Sequence, residues 1–120
     1  MNWPVSEPHG KHNRRLVRDF LTKSSIGSII VPRLFVWDGA SIPRLFWLYA
    51  TPFEPEYETA ALVHDYLCNG GETCSGYVCT RREADYVFYE LSIRYGVRRS
   101  RAMLMYSAIR LWALVSLQWG

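Results

Sequence analysis

The stretch "TPFEPEYETAALVHDYLCNGG", residues 51–71, decides the fold. Pro55 falls near the first position of a helix, where the missing N–H has no intrahelical partner to lose. Glu56 and Glu58 follow where the helix dipole favours negative charge, and Gly70-Gly71 mark the stop. Tyr57, Ala60, Ala61, His64 and Cys68 recur at helical spacing, so the core stripe of this helix carries an imidazole. His64 points where a Leu or Ile is expected. Two readings stand open: a hydrogen-bonded structural histidine, and a hydrolytic or metal site.

On the C-terminal side, "TRREADYVFYELSIRYG" (80–96) carries a capping box, Thr80 with Glu83, and a Gly96 stop. Its core stripe is Ala84, Val87, Phe88 and Leu91, continued by Tyr95, and Asp85 borders it. A final helix is expected from about residue 100 to 117. On the N-terminal side, "RLVRDFLTKS" and "GSIIVPRLFVWDG" flank a Ser/Gly turn, which is a hairpin signal. Pro32 in the second run implies a bulge or an edge position. "DGASIPR" then makes a turn, and Pro43 suits the start of a short helix, "PRLFWLY". The expected fold is α+β and helix-dominated: an N-terminal β-hairpin, a short helix and about three packed helices. It forms a single domain over 1–120, with an extended arm over 1–12, the hairpin over 13–38 and the helical body over 39–120.

Composition agrees with one globular core. Apolar residues make up 49% and charged residues 21% of 120, which excludes a disordered chain. Five Trp, eight Tyr and five Phe suit a dense core or a surface that meets a partner. The net charge of +3 is concentrated in "HNRRLVR" and "RYGVRRSR". The simpler reading of these runs is solvated element ends, since no nucleic-acid reading module accompanies them. "MLMYSAIRLWALVSLQW" is the only membrane candidate, and Arg110 and Ser107 interrupt it, so no transmembrane segment is expected. Docking at a lipid interface stays open for it. With no signal-peptide pattern at the N-terminus, synthesis in a cytoplasm is expected.

Cys68, Cys74 and Cys79 crowd together behind His64. Their spacing matches no common zinc motif and includes no CxxC, so free thiols are expected ahead of a Cys74–Cys79 disulfide or a zinc site. Polar residues at the helix edges carry more. The helices bearing His64 and Asp85 are joined by a short loop and should be antiparallel neighbours, so the two side chains are expected to be hydrogen-bonded. A carboxylate on one imidazole nitrogen fixes the tautomer and leaves the other nitrogen to take a proton. Asp65, about 100° round the helix, is expected to look toward the turn at Asp38. Two carboxylates with the carbonyls of a glycine turn are oxygen ligands of the kind Ca²⁺ takes.

"VPRLFVWDGASIPRLFW", "AALVHDYL", "RREADYVFYEL" with "GV", and "MYSAIRLW" resemble, in that order, the domain of unknown function 1353 family of phages and prophages. The resemblance implies a phage habitat and no particular chemistry. A D-G-x-S turn, a helix with His-Asp, and a helix with Asp followed by Phe are more distantly similar to prokaryotic phospholipases A2. That second resemblance implies His64 and Asp85 as catalytic residues and Asp38 and Asp65 as Ca²⁺ ligands, acting on an ester of the host envelope. The chain departs from it at Cys68, where those enzymes carry a tyrosine, and it lacks their disulfide pattern. The alternative expectation is a non-enzymatic virion or assembly protein that binds phage structural proteins of the tail, neck or baseplate. An enzyme needs His64 reachable from solvent; an assembly module can bury it and should expose apolar surface.

Overall fold

A computed structural model describes residues 3–10, 13–37 and 55–115, with side chains in the last stretch described from Tyr57 onward. The expected hairpin is present. β3 (Phe20–Ser24) and β4 (Gly27–Val31) pair antiparallel, with Phe20 opposite Val31 and Thr22 opposite Ile29. Alternation sends these four side chains inward and leaves the Leu21/Ile30 pair exposed on the other face. β4 ends at Val31 because Pro32 has no N–H to extend the ladder.

The ends of the same stretch also pair. β2 (Arg14–Leu16) runs antiparallel to β5 (Val36–Trp37), burying Leu16 and Trp37. Within the expected extended arm over 1–12, β1 (Ser6–Pro8) adds an edge strand to β2. Polar side chains fasten it. Arg14 Nε donates to Ser6 Oγ at 2.8 Å, and Ser6 Oγ donates to Glu58 Oε1 at 3.2 Å. Arginines read as solvated element ends thus take part in strand pairing.

Three helices follow: α1 (Pro55–Cys68), α2 (Arg81–Arg94) and α3 (Arg99–Val115). Thr80 caps α2 as expected: its hydroxyl accepts from the Glu83 N–H while the Glu83 carboxylate accepts from the Thr80 N–H. Gly96 ends that helix region with a positive φ of 106°, a conformation that costs glycine little. α1 differs from a one-stripe helix. Leu62, Val63 and Leu67 are buried along with Tyr57, Ala60, Ala61 and His64, because α1 packs against α2 on one side and the strands on another. The expected short helix in "PRLFWLY" lies outside the described residues. Among those described, no helix is long and apolar enough to cross a membrane.

Candidate functional site

α1 and α2 pack side by side and bring His64 and Asp85 together in the interior. His64 Nε2 lies 2.6 Å from Asp85 Oδ1, and neither side chain is exposed to solvent. Two arginines complete the arrangement. Arg81, one turn before Asp85 on α2, donates from Nε to Oδ1 at 2.8 Å. Arg110 of α3 donates from Nη1 to Oδ2, also at 2.8 Å. One carboxylate therefore joins all three helices, and both of its oxygens are engaged.

The neighbours of the imidazole are largely apolar. Phe88 meets it edge to face, with ring centroids 5.6 Å apart, and Tyr57 stacks on Phe88 at 6.3 Å. Cys68 Sγ sits 3.7 Å from Nε2 and 3.9 Å from Nδ1, close enough only for weak sulfur contacts. Burial works against a charged ring. The charge that Cys68 can carry and the hydrogen bond to Asp85 outweigh burial, and the His64 pKa is pushed up to about 9. For Asp85, burial alone would raise the pKa. The bonds from His64 and Arg81 overcome it and hold the carboxyl below its usual range.

The other expected site residues are placed less fully. Asp65 is buried, 5% exposed, next to His64 on α1, and its main-chain carbonyl accepts from Asn69 N and Nδ2. Asp38, its expected partner around Ca²⁺, lies outside the described residues. Among those described, no group of three or more His, Cys, Asp or Glu side chains could hold a metal ion. Cys68, Cys74 and Cys79 are free thiols.

Arg81 and Arg110 were not among the expected site residues. A signal for Arg81 was present, an Arg four residues before an Asp on one helix. For Arg110 the signal was subtler: a lone charge on an otherwise apolar helix must either face water or find a buried partner. Chemically, the cluster fixes the ring orientation and ties three helices. A base must also reach a substrate, and this imidazole is buried and hydrogen-bonded to Asp85.

Comparison with known proteins supplies a family. The model of a family described as "Protein of unknown function (DUF1353)" matches residues 14–109. Two proteins of Sinorhizobium fredii (strain NBRC 101917 / NGR234) are similar over 73 residues, 60% of this chain. "Uncharacterized protein y4iH" is 34% identical there, and the match covers 28% of it. "Uncharacterized protein y4jT" is 40% identical, with 20% of it covered. The chain thus spans less than a third of the length of these relatives. No solved structure matches.

Proposed function

The chain belongs to the DUF1353 family, and from that premise we propose that it works as a non-enzymatic interaction module. One observation carries the reading: α3 is apolar on two opposite faces, and only one is covered. Ala102, Met105, Ile109 and Ala113 are buried against the core, while Leu104, Leu111, Leu114 and Val115 on the opposite side are each more than 60% exposed. Exposed apolar side chains gathered on one side of a helix are the usual mark of a surface that meets a partner. Each such side chain gains roughly 1.5–3 kcal/mol when removed from water, before the costs of association. The sealed His64–Asp85 cluster supports the same reading, since it fits a tie between helices better than a reaction centre.

Leu111→Glu tests this. Because the side chain is exposed, circular dichroism and the melting temperature should stay near the parent values, while binding of a hydrophobic dye to the native protein should fall. An unfolded variant would place Leu111 in the core and sink the reading.

A second reading, a metal-assisted ester hydrolase, is favoured by one specific feature. Asp85 engages Nε2, which leaves Nδ1 as the nitrogen that would take a proton from water. Asp38 and Asp65 would then hold Ca²⁺. Hydrolysis of a chromogenic ester that is Ca²⁺-dependent and lost in His64→Asn would establish this reading over the first.

A further inference from the structure

Cys68 belongs to the buried cluster, yet the tie between the helices does not use it. It follows His64 by four residues, so one face of α1 carries both. Its sulfur lies 3.7 Å from Nε2 and 3.9 Å from Nδ1 of the ring. Asp85 engages Nε2, which leaves Nδ1 as the nitrogen able to take the thiol proton. The order is carboxylate, imidazole, thiol: a nucleophile beside a base that a third group orients. Burial separates the three. His64 and Asp85 are enclosed, whereas Cys68 is only half-buried, so it alone of the three has surface open to solvent.

We propose that Cys68 is a peroxide-reactive thiol, activated by the His64 ring that Asp85 holds in place. Proton transfer from Sγ to Nδ1 leaves a thiolate, the form in which cysteine attacks. The sulfur then attacks one oxygen of hydrogen peroxide: an S–O bond forms and the O–O bond breaks. The other oxygen leaves as hydroxide and becomes water with the proton that the thiol gave up. Sulfur is oxidised by two electrons to the sulfenic acid, and the peroxide is reduced. A half-buried sulfur admits a reagent of this size more readily than a bulky disulfide. The site lies on α1 and goes beyond the interaction-module reading, which rests on α3.

The other cysteines set the comparison. Cys79 is buried, and burial pushes its thiol up to about 11, which leaves it inert near neutrality. Cys74 is exposed, so accessibility alone favours Cys74 over Cys68. Activation by His64 reverses that order.

Treating the whole chain with hydrogen peroxide and dimedone, a trap for sulfenic acids, tests this by mass spectrometry of the cysteine peptides. Adducts should form at least about tenfold faster at Cys68 than at Cys74. An aligned general base supplies roughly 100-fold or more, and this sulfur contact is long. In denaturing urea the two rates should become equal. His64→Gln, with parental circular dichroism, should bring Cys68 down to the rate of Cys74 or below. Cys68 labelled no faster than Cys74 in the native chain overturns the assignment, as does an advantage that persists in urea or in folded His64→Gln. If His64→Gln does not fold, the comparison of native chain with urea decides alone.

Discussion

Arg110 Nη1 stands 2.8 Å from Asp85 Oδ2, so a side chain near the end of the last helix closes a bond begun on the second. In the sequence Arg110 figures only as the charge that interrupts an apolar run. Folded, it is mostly buried, with 13% of its side chain exposed, and its partner's second oxygen is taken by His64 and Arg81. The charge that disfavours a membrane span is therefore also the charge that docks α3 onto the domain.

The cluster should give the protein a bounded pH range. His64 has a folded pKa of about 9 against about 6.5 unfolded, so its contribution is complete below about pH 6.5 and disappears as pH rises through about 9. Asp85 has a lowered folded pKa, so its contribution is present above about pH 3.9 and is lost as pH falls through the lower folded value. Melting temperature measured against pH should be highest between these limits. His64→Asn should remove the alkaline decline, and an unchanged alkaline limb would show that another group causes it.

Phe88→Ala should cost about 3–5 kcal/mol in denaturant unfolding, the range for deleting a buried aromatic. Phe88 is fully buried and touches both His64 and Tyr57. A cost below about 1 kcal/mol would mean that the rings are not packed as described.

Thr80→Ala should cost about 1 kcal/mol, since it removes the side-chain half of the α2 capping box. Hydrogen exchange should report the loss locally, as faster exchange of the Glu83 amide. Unchanged exchange there would contradict the cap.

Local rules made much of this fold legible. The Thr80/Glu83 box, the Pro55 start, the Gly96 stop and the β3–β4 alternation depend on residues close in the chain. Long-range pairing was less accessible. Nothing near Ser6 announces that its hydroxyl will bond Glu58, so the extended arm could be read without the strand it pairs with. His64 and Asp85 could be paired because two antiparallel helices with a short loop leave few alternatives. The reach of Arg110 to the same carboxylate could not be, because the packing of α3 on α2 sets it. That third bond and the complete burial of His64 and Asp85 are the observations on which the structural reading of the pair rests.

Thermal unfolding of Asp85→Asn, run beside an ester-hydrolysis assay with and without Ca²⁺, tests this account most directly. An amide there removes the carboxylate that holds His64, Arg81 and Arg110 together, and breaking such a buried cluster typically costs about 3–5 kcal/mol. In a domain of this size the melting temperature should fall by about 10 °C or more, with no ester hydrolysis detectable in parent or variant. A variant that melts like the parent, beside a parent whose ester hydrolysis the substitution abolishes, would contradict the account and make His64 and Asp85 a catalytic pair.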